Sequence, residues 1–372
     1  MSVIVVGAGL AGLTAAHRIR CEGLDVRVLE ARRRVGGRTW TVAPDDLAIG
    51  SRFDLGATWH WTDQNAVRLL ARELGLVPFS QYRDGLALSE TALGRRPSVV
   101  VVPPAVPGEL RLAGGAQDLC LRLAEQLGPA AIIFDSPVTS VVGSRARLAV
   151  TVADEDAVDG SVTYEADFVV IAVPPRLASE RIVFHPDLSA ARLSAMAATP
   201  TAMARALKAV VVYDQPFWRH TGCSGLAFST IGPLTEVHDG CTSDASMAAL
   251  WGFVSPHHRF RDVDGATRAA LVTDQLVRLF GSAAGQPVGY FERDWSRDAY
   301  TADALTWSDN GQVYGHPRLS EPAMGGRLMW AGSETEAIGG GHMEGAVRSG
   351  QRAADQVLEA CGGAPDRRRS GG

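Results

Sequence analysis

The residues best suited to chemistry near the start of the chain are three glycines and a carboxylate. In VIVVGAGLAGLTAAHRIR (residues 3–20) an apolar run meets Gly7, Gly9 and Gly12. Gly7 allows a tight turn, Gly9 lets the backbone approach a diphosphate, and Gly12 permits close packing of the following helix, whose N-terminus faces the negative charge. Glu30 ends the next apolar run, VRVLE, eighteen residues after Gly12. A carboxylate there binds both ribose hydroxyls of a dinucleotide and repels a 2′-phosphate. Nicotinamide and flavin dinucleotides share this pattern, so later residues must separate them. Glu30 runs into ARRRVGGRTW, where Gly36 and Gly37 offer a second close backbone approach and Arg38 a fixed cation for phosphate. A cofactor with a long ribityl arm needs that loop; nicotinamide does not. Arg33 and Arg34 read as a solvated charge run.

Two further side chains could act on a substrate. Lys208 interrupts the apolar run ALKAVVVY, so its ammonium either snorkels from a strand edge or is directed into a site, and the residues alone leave both open. His342 follows three consecutive glycines at the start of the last helix, and its titration range suits general-base work. His60, between Trp59 and Trp61, ranks below it.

The elements that must position these residues show as apolar runs at 3–6, 26–29, 168–173 and 328–331, the kind that parallel sheets bury on both faces. Their scatter predicts a discontinuous domain. PSVVVVPPAVPGELRL (97–112) reads as an irregular proline-rich stretch, and residues 199–297 as a second layer that includes a surface helix over 266–280. EGAVRSGQRAADQVLEA (344–360) places Ala346, Val347, Gly350, Ala353, Ala354, Val357 and Leu358 on one helical face.

At 372 residues, 46% hydrophobic and 21% charged, the chain is long enough for about two packed domains. A net charge of −5 shows no basic excess, so nucleic acid is not an expected partner. The five cysteines are scattered and form no CxxC pair, which fits reduced thiols in a cytoplasm. The first element begins at Val3, leaving no room for a secretory leader, and no run approaches the roughly 18–20 apolar residues that span a bilayer, so no membrane partner is expected.

Over most of its length the chain resembles the flavin-containing amine oxidases, a family that includes monoamine, polyamine and L-amino acid oxidases. The opening segment is similar to the family's FAD signature. Further matches, in the family's order, are FDLGATWHW (53–61), LAGGAQDLCLRLAEQL (112–127), VVIAVPP (169–175), LKAVVVYDQPFW (207–218) and WAGSETEAIGGGHMEGAVRSGQRAA (330–354). The resemblance implies an α/β fold: an FAD-binding Rossmann-like domain of the glutathione-reductase type with a smaller, abridged mixed α/β substrate domain. FAD binding falls to residues 1–80, 114–198 and 298–361, the substrate domain to 81–113 and 199–297, and a disordered tail to 362–372.

The resemblance also implies residue roles. Gly56, Ala57, Thr58 and Trp59 lie along the flavin, Val138 meets the adenine through its backbone, and Trp295 and Tyr300 stand near the isoalloxazine. Ser333 and Glu334 face the diphosphate and ribityl, and the Met343 amide faces the flavin pyrimidine oxygen. Ala11, Ala31, Arg32, Thr39, Gly332, His342 and Ala346 complete the cofactor-contacting set, with no metal. Trp251, Trp307 and Phe260 are expected to fill core. Lys208 matches the family lysine that holds a water against flavin N5 and is associated with reoxidation by oxygen.

Departures from the family matter too. Only about thirty residues separate Gln81 from Gly114, where relatives insert a long helical segment. The two aromatic cage positions of monoamine oxidases fall on Leu305 and His342, and Ala304 replaces the cysteine that anchors flavin covalently in some members. Noncovalent FAD is therefore expected. The implied reaction moves hydride from the carbon of an uncharged amine to flavin N5, leaving an imine; dioxygen then reoxidises the flavin to give hydrogen peroxide, with Lys208 and His342 as catalytic residues. A desaturase or amino acid oxidase, and a catalytically silent flavin-binding protein, are the alternatives, and homo-oligomerisation is left open.

Overall fold

The computed structural model describes residues 1–44, 51–103, 107–144, 146–157, 159–256, 258–302 and 313–362. The scattered apolar runs meet in one parallel sheet, in the order Ile132–Ile133, Asp25–Leu29, Ser2–Val6, Phe168–Ile171, Leu328–Trp330. This is a Rossmann-like strand order, in which ligands sit beyond the carboxyl ends of the strands. Helices Leu10–Cys21, Asp118–Leu127 and Met343–Gly362 cover one face through Leu13, Ile19, Leu119, Leu123, Val347 and Val357. The first and last of these approach closely: a Cβ on Gly350 would lie 2.4 Å from the Ala11 carbonyl oxygen. The other face packs on an antiparallel layer built around Val138–Gly143 and Leu148–Ala153.

A second sheet of seven strands runs in the order Gly289–Asp294, Leu207–Tyr213, Ala248–Val254, Leu234–Asp239, Cys223–Ser229, Leu86–Glu90, Ser98–Val100. Side chains on a strand alternate between faces. Leu207, Ala209, Val211 and Tyr213 pack with Val272 and Leu276 of helix Gly265–Phe280. Val210 and Val212 face the other way, onto Phe53 and Leu55. Lys208 shares that inner face and is 1% exposed.

The proline-rich stretch is more regular than expected. Ser98–Val100 pairs with Leu86–Glu90 at the edge of the seven-stranded sheet, and Glu109–Leu112 joins His60–Trp61 and Pro78–Ser80 in a small sheet. The valine run supplies edge-strand residues with a high β preference, and Pro97, Pro103 and Pro107 fall outside the paired positions. Among the described residues no helix is long and apolar enough to cross a membrane. Ala304, Leu305, Trp307 and the tail from 363 lie outside the described residues.

Candidate active site

A cavity of about 660 Å³ opens at the carboxyl end of the parallel sheet and continues to the inner face of the seven-stranded sheet. At one end the strand Ser2–Val6 turns through Gly7, with φ of +103°, into helix Leu10–Cys21. Gly9 caps that helix and no side chain occupies its first-turn amides. A Cβ on Gly9 would meet nothing within 4 Å, whereas one on Gly12 would lie 2.0 Å from the Gly7 carbonyl oxygen. Gly9 thus faces open cavity while Gly12 lies beneath the turn, and free amides at a helix N-terminus suit a diphosphate. The buried Glu30 carboxylate accepts hydrogen bonds from the amides of Ala8 at 2.7 Å and Arg32 at 2.9 Å and reaches the cavity beside Ala31, Arg32 and Val138.

Midway, Gly36 and Gly37 both have positive φ, and a Cβ on Gly36 would strike the Thr39 carbonyl oxygen at 2.3 Å. The turn they form carries Arg38 to Glu334, with Arg38 Nη2 at 3.1 Å from Oε2 and its Nη1 bonded to both Oε1 and the Ala202 carbonyl. Burial works against both charges, but each partner outweighs it: Glu334 raises the Arg38 guanidinium above its ordinary value, and Arg38 lowers the Glu334 carboxyl below its own.

At the far end Lys208 Nζ donates to the Gly56 carbonyl at 3.1 Å and to Thr58 Oγ1, and lies 3.9 Å from the Trp251 ring centroid. Burial pushes its ammonium down to about 7 against the opposing carboxylate of Asp54. Trp59, Trp61, Trp251 and Phe253 wall this end. Trp59 is fixed by its Nε1, which donates to Gln81 Oε1 at 2.8 Å. His342 packs edge-on to Trp61 at 5.4 Å, and its Nδ1 bonds to the Gly340 carbonyl at 2.9 Å. A carbonyl only accepts, so Nδ1 carries the proton in that bond and the neutral ring keeps a lone pair on Nε2.

The expected residues are therefore brought together with some exceptions. Gly7, Gly9, Ala11, Gly36, Gly37, Thr39, Gly56, Ala57, Thr58, Trp59, Tyr300, Gly332, Ser333, Met343 and Ala346 all line the cavity. Trp295 does not: it is fully buried, donates Nε1 to the Leu55 carbonyl at 3.0 Å and meets Trp40 edge-on. It ties down the Leu55 backbone, next to Gly56. Glu334 is taken up by Arg38, Ser333 Oγ and the Ala202 amide, so its carboxylate orients Arg38 instead of facing the cavity. Phe260 is core, and Trp251 is both core, packed with Phe53 and Val210, and part of the cavity wall, because pairing of Val210 with Trp251 and Lys208 with Phe253 sets both aromatics beside the lysine. His60 points away from its neighbours Trp59 and Trp61; it is 1% exposed, and burial holds it neutral by pushing its imidazole down to about 4. Trp61, two residues along the strand from Trp59, was the one missed wall residue that the alternation of side chains signals.

Comparison with known proteins agrees with this geometry. A sequence model described as flavin containing amine oxidoreductase matches residues 10–90 and 93–358. Putrescine oxidase of Kocuria rosea is 27% identical over 462 aligned positions, covering 96% of this chain and 95% of that protein. A probable flavin-containing monoamine oxidase A of Dictyostelium discoideum is 25% identical, covering 96% and 97%. Both alignments run longer than this chain of 372 residues, so these relatives carry segments it lacks. Among solved structures, wild-type putrescine oxidase bound to putrescine superposes with a TM-score of 0.81 at 26% identity, covering 96% of this chain and 99% of that one. Cyclohexylamine oxidase of Brevibacterium oxydans, at 22% identity and a TM-score of 0.83 over 97% and 99%, shares the fold. With its glycine turn, the Glu30 carboxylate and the buried Lys208 lining one cavity, and with the family model matching most of its length, the chain belongs to the flavin-containing amine oxidoreductase family.

Proposed function

We propose that the chain oxidises an uncharged amine at the carbon bearing the nitrogen, with noncovalently held FAD, and that dioxygen restores the cofactor with release of hydrogen peroxide. The observation that carries this reading is Lys208, buried at the aromatic end of a cavity whose other end is built for a dinucleotide diphosphate. The residues fit the cofactor: Gly9 and the free amides of helix Leu10–Cys21 would hold the diphosphate, Glu30 the ribose, and Met343, at the start of helix Met343–Gly362, the far end of the ring system. When bound, FAD supplies the acceptor for the hydride leaving the substrate carbon.

The chain's own groups do the rest. In its protonated form Lys208 has three donor hydrogens and spends two on Gly56 and Thr58, which leaves one for a water in the cavity. His342 Nε2 takes the proton from an incoming ammonium so that the neutral amine reacts. Trp61 packs edge-on against the imidazole, and Trp59, Trp251 and Phe253 give the substrate end an aromatic wall. None of the five cysteines lines the cavity among the described residues, which supports noncovalent attachment. The parallel and seven-stranded sheets support the domain division expected from the sequence, except that Glu109–Leu112, expected in the substrate domain, pairs with His60–Trp61 and Pro78–Ser80 of the FAD-binding part; the unpaired cysteines favour a cytoplasmic setting.

Because relatives carry the names of diamine and monoamine oxidases, the test is anaerobic bleaching of the yellow protein by monoamines, diamines, polyamines and amino acids. Rapid bleaching by one amine class, with colour and peroxide returning in air, is the expected result. Bleaching by dithionite alone would overturn the reading.

A further inference from the structure

On the outer side of the Arg32–Tyr300 wall lies a second, open cleft of about 530 Å³ that contains five arginines and a single carboxylate, Asp298. Asp298 is already committed: Arg32 and Arg293 both donate to it, as does the Tyr300 amide at 3.0 Å. Arg33 Nε donates to both carboxylate oxygens of Asp135 at 3.1 Å, and Arg297 reaches Asp294 at 3.5 Å. Arg34 has no carboxylate within hydrogen-bond distance among the described residues; it donates only to the carbonyls of Val35 and Gly37. Its guanidinium and that of Arg293 both stack on Trp40, at 4.6 and 4.9 Å, and Arg293 Nε is buried with no partner among the described residues. Burial and the neighbouring charge of Arg32 push the Arg34 guanidinium down to about 10.

Crowded guanidiniums with too few carboxylates repel one another and leave donors unsatisfied. The remedy is an oxyanion with several acceptors, for which arginine forks are shaped. The limited extent of this open cleft suits a small molecule better than an extended acidic surface. We propose that the cleft binds a phosphoryl-bearing metabolite through Arg34, Arg293 and Arg297, beside the dinucleotide cavity and separate from it. Arg32 lines both spaces and stacks over Tyr300 at 5.2 Å, so an anion in the cleft also braces the wall of the cofactor cavity.

The test uses the FAD-loaded protein. Inorganic phosphate is titrated against chloride at constant ionic strength, with the thermal midpoint and the phosphorus resonance linewidth as readouts, and with malonate and polyglutamate as parallel arms. A saturable rise in midpoint with phosphate, about tenfold weaker in Arg34→Gln and in Arg297→Gln, is expected. Arg297 is 73% exposed at its side chain, so its substitution leaves the fold intact. No saturable effect, an effect seen only without FAD, malonate binding more tightly than phosphate, or a response to polyglutamate alone would each overturn the proposal. The FAD-free result would assign the arginines to the cofactor cavity, the malonate result would identify a dicarboxylate site, and the polyglutamate result a surface for an acidic partner.

Discussion

Lys208 lies 3.9 Å from the Trp251 ring centroid, and the two residues come from antiparallel strands whose register sets both on the inner face of one sheet. The indole face lends the ammonium partial compensation for lost hydration, and Thr58 and Gly56 supply two acceptors. One donor remains directed at the cavity, and the first prediction concerns its removal.

Lys208→Met keeps the volume and removes the donor. Reoxidation of reduced flavin by dioxygen should slow by about a hundredfold or more, as expected for loss of a directed donor in a water-excluded site. Rapid mixing of the photoreduced protein with oxygenated buffer measures it, and an unchanged rate would remove Lys208 from the oxidative half-reaction.

The same substitution should change the pH dependence of stability. The Lys208 ammonium sits at about 7 in the folded chain against an ordinary 10.5. Below about pH 7 folded and unfolded chains both carry the proton, and the cost of burying the charge is felt in full. Between the two values only the unfolded chain keeps it, so unfolding free energy rises with pH; above both values the cost is gone. Relative to Lys208→Met, the natural protein should therefore gain stability from about pH 7 to about pH 9.5, read from urea midpoints. Parallel curves would contradict a buried lysine with a depressed ionisation.

Gly9 and Gly12 should respond differently to the same added methyl. Gly12→Ala forces a Cβ against the Gly7 carbonyl and should destabilise the fold by about 1–3 kcal/mol. Gly9→Ala has open space in the empty cavity, so the apoprotein should lose less than about 1 kcal/mol while FAD affinity falls about tenfold or more. Apoprotein denaturation and flavin titration separate the two effects; equal stability losses would refute the distinction.

Glu334→Gln should cost more than loss of a surface ion pair, because Arg38 then sits in a largely buried site without its carboxylate. A loss of about 3 kcal/mol is expected, together with weaker flavin retention. Denaturant midpoints and the flavin fraction surviving gel filtration measure the two quantities. A stability change below about 1 kcal/mol would mean that Arg38 finds another partner.

The sequence by itself determined the features that depend on neighbours along the chain. Gly7, Gly9 and Gly12 mark the turn because backbone sterics act locally, and Glu30 follows at the length of one helix and one strand. The buried parallel strands announced themselves as unbroken apolar runs, and helix Met343–Gly362 as an apolar face at helical spacing. What only the tertiary structure decided is set by strand register and by contacts between distant segments. Lys208 faces inward because both sides of its strand are covered, which no local pattern states. That Trp251, a core residue as expected, also reaches the cavity depends on its neighbour across the ladder, which cannot be read from spacing, and Trp295 passed for a wall residue although the Leu55 carbonyl draws its indole inward. The pairing of Glu334 with Arg38 joins residues from opposite ends of the chain, and the low-dielectric interior, where an unpaired charge is costly, selects that partnership.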